Sequence, residues 1–173
     1  MQTGNRIGLG GLLGTVLLAA VPGMAQPAPA QPCAVTVEGS GWNSPVALGS
    51  LAAERDGGPV LEIGQTARIT LHPTAEVRYP QPPGQAGKDG SFGGMVRFRV
   101  TAGGSYRFIS SEDPWYDVVG SGGIIAPVAR SHDRQCTPQT RKMIDYVLGP
   151  GDYLLEIART STADVVLLLT GLP

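Results

Sequence analysis

Runs of alternating apolar and polar residues recur from position 67 to the end of this chain, each closed within a few positions by Gly, Pro, Asp or Ser, and no stretch repeats at helical spacing. A period of two sends successive side chains to opposite faces of an extended strand. Eight runs carry the pattern: 67–71, 95–101, 105–110, 115–119, 124–129, 142–148, 152–158 and 164–170. In "MVRFRVT" Val96, Phe98 and Val100 face one way while Arg97, Arg99 and Thr101 face the other, as a strand between core and water requires. "VVLLLT" is apolar on both faces, which suits the middle of a sheet. Short strands with close punctuation predict an all-β, antiparallel, jelly-roll-like sandwich of about eight strands. The Ala, Leu and Glu content of 44–56 predicts one short helix, stopped by Gly57 and Gly58.

One gesture appears twice. "FRVTAGGSYRFIS" (98–110) and "YVLGPGDYLLEIA" (146–158) both run through an aromatic, an aliphatic, a turn holding Ala or Pro with Gly, and a Tyr that starts another alternating run. Glycine supplies the positive φ of a tight connection and Pro150 presets φ before it. Each copy therefore reads as a β-hairpin, with Tyr106 and Tyr153 burying a ring and offering a hydroxyl to nearby backbone. Repetition of this kind serves folding before chemistry.

The first 25 residues have the order of a secretory signal peptide: Arg6 without an acid, an apolar run from Ile7, then Pro-Gly before small residues. That run is short and glycine-rich for a membrane span. Cleavage after Ala25 would leave a Pro/Ala spacer at 26–32 and a single domain at 33–173, and would place the protein in a bacterial periplasm or outside the cell. Cys33 and Cys136 are the sole cysteines, with no CxxC spacing, and in an oxidising compartment they read as a disulfide. Closing so long a loop is worth on the order of 4 to 5 kcal/mol in the chain-entropy model. The full chain carries 13 basic and 14 acidic residues. Such a balance offers no attraction to nucleic acid or an anionic membrane surface.

From residue 92 to 170 the order of strand, Ala-Gly or Pro-Gly turn, Tyr, "DPWYD" and "YVLGPGDYLLEI" resembles the bacterial pre-peptidase C-terminal domains. Those are small β-sandwiches carried beside exported proteases and other enzymes. The resemblance implies an extracellular sandwich in an accessory role. The Asp-Asp element that usually follows the "DP" strand in that family is missing from "VVGSGGIIAPVARSHDRQC", and with it the usual pair for a calcium site. The chain is also similar to small exported proteins with a W-x-D-V-V … H … C … K … P-G-x-Y pattern, matched by Trp115, Asp117, Val118, Val119, His132, Cys136, Lys142, Pro150, Gly151 and Tyr153. Such proteins are sometimes labelled homogentisate dioxygenase. That chemistry needs a His/carboxylate iron triad in a much larger cupin, and this chain has only His72 and His132.

Three windows contain residues able to do chemistry. In "SSEDPWYDVVG" (110–120) Glu112, Asp113 and Asp117 sit beside Trp115 and Tyr116. Carboxylates around aromatics suit calcium or a sugar ring, although calcium takes about six to eight oxygens; the plainer reading is a β-turn begun by Glu-Asp-Pro. In "RSHDRQC" (130–136) His132 is a candidate metal ligand, or simply a loop residue beside the disulfide. "RYPQPPGQAGKDGSFGG" (78–94) reads as a long loop in which Tyr79 and Phe92 could form a binding surface with Trp115 and Tyr116. No phosphate loop, nucleotide fingerprint or nucleophile elbow is present. These features favour a non-catalytic exported domain that binds an envelope protein, a glycan or a small molecule and carries no cofactor. The alternative is a small enzyme or metal carrier on the same sandwich, using His132 with the nearby carboxylates and a calcium or transition-metal ion.

Overall fold

Strand β4 (Phe92–Val100) buries Val96, Phe98 and Val100 on one face and turns Arg97 and Arg99 outward, the division its alternation demands. The computed structural model describes residues 37, 40–55, 57–132 and 140–173, which fall in one compact unit. Cys33 and Cys136 lie outside the described residues, and so do the segments expected to be a signal peptide and a Pro/Ala spacer.

The remaining strands are β1 (Val46–Gly49), β2 (Thr66–Thr70), β3 (His72–Pro73), β5 (Gly104–Ser110), β6 (Trp115–Gly120), β7 (Gly123–Ile125), β8 (Ala129–Ser131), β9 (Lys142–Leu148), β10 (Gly151–Thr160) and β11 (Asp164–Gly171). They form a six-stranded sheet in the order β1-β2-β11-β5-β9-β8 and a five-stranded sheet in the order β3-β4-β10-β6-β7. Going inward along the chain, β2, β4, β5 and β6 pair antiparallel with β11, β10, β9 and β7 in turn. A long hairpin rolled across two sheets gives this order, which is that of a jelly roll.

The strand count exceeds the expected eight. All eight alternating runs are strands, but 124–129 divides between β7 and β8, which belong to different sheets. The division falls at Pro127, which has no N–H to give to a ladder. The added strands β1 and β3 are short edge elements.

The helix expected over 44–56 does not form. Residues 46–49 are instead strand β1, parallel to β2, and Leu51 and Ala53 make single bridges to Met95 and Arg78. Leu51 is buried with Met95 and Leu154 on the outer side of the five-stranded sheet. Sheet-edge hydrogen bonds and this burial outweigh helix propensity, which amounts to tenths of a kcal/mol per residue.

The repeated segments also differ from expectation. Each is an arch between sheets, because β4 and β10 lie in one sheet while β5 and β9 lie in the other. The two arches stack against each other. Val100 pairs with Gly151 in one sheet and Gly104 with Leu148 in the other, so the first strand of each copy pairs with the second strand of the other copy. Tyr106 Oη donates to the Ala102 carbonyl at 2.6 Å and Tyr153 Oη to the Gly149 carbonyl at 2.8 Å, each reaching four residues back. Both hydroxyls staple a turn that no ladder supports, in the manner of the tyrosine corner of other β-sandwiches.

The main core lies between the sheets, where Phe108 meets Phe98 and Tyr146 edge to face at 5.5 and 5.7 Å. Outside the six-stranded sheet, Trp42 covers Ile109, Met143, Val166 and Leu168. The double-sided apolar pattern of β11 is thus explained: one face meets the main core and the other meets the Trp42 cluster.

Candidate functional site

The segment from Thr74 to Ser91 crosses the outer face of the five-stranded sheet and is tied down there. Tyr79 Oη donates to the Ile157 carbonyl at 2.6 Å, and the Gly84 N–H donates to Asp117 Oδ2 at 2.8 Å. Close approach explains two glycines. A Cβ on Gly84 would come within 2.8 Å of the Trp115 ring, and one on Gly93 would overlap the Tyr79 hydroxyl. The loop expected over 78–94 is therefore a strap docked on the sheet, with Tyr79 as its pin.

The window 110–120 separates into three environments. Tyr116 points inward, 1% exposed, and donates to Ser110 Oγ at 2.8 Å; burial raises its pKa above the usual phenol range. Asp117 is buried on the outer face, where Oδ2 accepts both the Trp115 indole N–H at 2.7 Å and the Gly84 N–H. Asp113 is exposed, and its Oδ1 lies 2.9 Å from Lys142 Nζ and 3.3 Å from His132 Nδ1. Glu112 is half-buried, with its backbone N–H directed to Ser110 Oγ at 3.3 Å. Phe92 is half-buried against the main core. Of the expected site residues, Asp113, Trp115 and His132 come together in one cavity. Tyr79, Phe92, Glu112, Tyr116 and Asp117 do not line it.

That cavity has a volume of about 350 Å³. Gln85, Arg130, Lys142, Arg159 and Pro114 are the other described residues of its wall. Lys142, the first residue of β9, is 6% exposed and also donates to the Pro114 carbonyl at 2.6 Å. The Arg130 guanidinium lies 4.6 Å from the centre of the Trp115 ring, within range of a cation–π contact. Arg159 donates to Gln85 on the strap. Sequence reasoning placed none of Arg130, Lys142 and Arg159 among the site residues. A signal existed for one of them: Lys142 is one of two lysines in a chain that otherwise uses arginine. Arg159 gave none, since its position depends on a backbone irregularity in β10.

Beneath the strap is a further residue that the alternation did not reveal. Glu156 is 1% exposed and stands opposite Asp117 in the β10–β6 ladder. Neither of its carboxylate oxygens has a hydrogen-bond partner in the structure. Burial, then the charges of Asp117 and Glu54, push its pKa up to about 7, opposed by the Gln81 backbone N–H nearby.

Among the described residues no group of three or more His, Cys, Asp and Glu side chains is placed to hold a metal ion. None of their helices is long and apolar enough to cross a membrane. No protein-family model matches the chain, and no curated protein matches it.

Proposed function

We propose that this protein is a non-catalytic binding domain of the bacterial cell envelope, exported by its N-terminal leader, with its ligand entering the cavity beside Trp115. One observation carries the reading: the cavity groups cationic side chains at an aromatic ring, while Asp113, the carboxylate among its described residues, is already held by Lys142 and His132. Such a wall can hold a ligand, and among the described residues it offers no activated nucleophile with a base behind it. The leader and the resemblance to accessory domains of exported enzymes support the location.

The test is a titration of 15N-labelled protein with glucose, glucuronate and inorganic phosphate, following the Trp115 indole resonance. Trp42, buried beyond the six-stranded sheet, serves as the internal control. Movement of the Trp115 signal alone supports the reading. Silence with all three probes, or turnover of a chromogenic ester that is lost in His132→Ala, overturns it. A mature mass beginning at Gln26 in the periplasmic fraction tests the location.

A second reading, a small metal-dependent enzyme or metal carrier, has the 3.3 Å approach of His132 to Asp113 in its favour. The Lys142 ammonium at 2.9 Å from that carboxylate opposes it, because a cation already occupies the approach a metal would use. Zinc or calcium retained through purification and lost in His132→Ala would favour the second reading.

A further inference from the structure

The chain as a whole has a net charge of −1, yet among the described residues Arg130, Lys142 and Arg159 line one cavity with one carboxylate, Asp113. Three separate devices bring them there. Lys142 is buried at the start of β9 and held by Asp113 and the Pro114 carbonyl. Arg130 comes from the edge strand β8 and lies over Trp115. Arg159 comes from an interruption of β10, whose register against β4 shifts between Ile157 and Thr160. Its φ of 62° makes it the one non-glycine residue with positive φ among those described. A bulge re-aims a side chain, and a left-handed backbone at a long residue persists only where the surroundings impose it.

Lys142 is matched by Asp113, so the fixed charges of the described wall residues leave an excess of two positives. We propose that the cavity binds a dianionic oxyanion, the phosphate of a small phosphate monoester, with Arg130 and Arg159 as its principal charge partners. This rests on the binding reading above. Guanidinium forks match phosphate oxygens in a bidentate geometry, and a phosphate monoester carries about −1.5 to −2 near neutral pH. A carboxylate would neutralise only half of the excess. The volume, about 350 Å³, fits a phosphate with a small organic body.

The experiment uses the mature chain in low salt, titrated with inorganic phosphate, glucose 1-phosphate, glucuronate and glucose, and read by calorimetry and by the Trp115 indole resonance. Both phosphates are expected to bind, more weakly as salt is raised. Arg159→Gly and Arg130→Gln are each expected to weaken binding at least about tenfold. Arg159→Gly keeps the positive φ at no steric cost, so its fold serves as the control for the loss of charge. Glucuronate binding as tightly as glucose 1-phosphate overturns the choice of phosphate. Phosphate binding unchanged in both variants places the anion elsewhere and overturns the site. A Trp115 response to glucose without one to phosphate overturns the proposal and spares the binding reading. Silence with all four probes ends both.

Discussion

Asp117 and Glu156 face each other across β6 and β10, and two N–H groups, the Trp115 indole and the Gly84 backbone, serve Asp117 Oδ2. Glu156 keeps two buried oxygens with no well-formed hydrogen bond among the described residues, the Gln81 backbone N–H standing nearby. Its folded-state pKa of about 7 lies above the ordinary 4.5, so the folded protein binds this proton more tightly than the unfolded chain does. The associated stability is complete below about pH 4, declines as pH rises toward 7, and is gone above it. Its size is on the order of 3 kcal/mol at most. Glu156→Gln is expected to be more stable than the parent at pH 8 and to lose that advantage at pH 4. Urea midpoints across this range decide, and an unchanged difference between the two proteins at every pH sinks the assignment.

Removing Asp117 strips the acceptor from two N–H groups at once. Asp117→Ala is expected to cost about 2 to 3 kcal/mol, since hydrogen bonds to a charged acceptor are among the stronger ones. The strap should loosen with it. Limited proteolysis within 79–91, fast in the variant and slow in the parent, is the expected pattern. Equal cleavage would mean that Tyr79 alone holds the strap.

The two arch tyrosines give a graded pair. Tyr106 is 8% exposed, whereas Tyr153 is only partly buried. Tyr106→Phe is expected to cost about 1 to 2 kcal/mol and Tyr153→Phe less, because water can satisfy the Gly149 carbonyl more readily than the Ala102 carbonyl. Thermal unfolding of both variants measures the order. Tyr153→Phe proving the costlier would show that the second arch depends on its staple more than exposure implies.

Arg159→Gly is expected to stabilise the protein or leave it unchanged, against the usual direction for an arginine lost from a strand. Release of backbone strain at φ 62° is worth on the order of 1 kcal/mol or more and offsets the lost contact with Gln85. An unfolding free energy lower by more than about 1 kcal/mol, from urea titration, would mean that the Gln85 contact, and not the local packing, keeps the bulge in place.

The strands were legible because alternation is a local signal. Val96, Phe98 and Val100 declare their face within five residues, and β11 declares its central position by having no polar face. The arches were not legible, since turn chemistry at 101–103 and 149–150 is compatible with a hairpin, and the partner that decides between the two lies some fifty residues away. The strand at 46–49 was hidden for a related reason: Ala and Leu favour a helix until a sheet edge is present to receive them. In the site, Asp113, Trp115 and His132 were found because each stood out by residue type. Arg159 could not be found, because what matters there is a dihedral angle. Glu156 sat on the side of β10 that alternation assigns to water, and only the docked strap makes that side dry.

The crossed pairing of the two arches also bears on how the chain folds. Val100 meets Gly151 and Gly104 meets Leu148, so neither repeat can form its ladder before the other copy arrives. Closure of these long loops costs entropy before any hydrogen bond returns it. Folding dominated by such distant partners falls on the slow side for small domains, milliseconds to seconds. Until the second copy docks, the edges of β4 and β5 stay unpaired and open to other chains. The short β6–β7 turn, with its local ladder from Val118 to Ile125, is the natural place for order to begin.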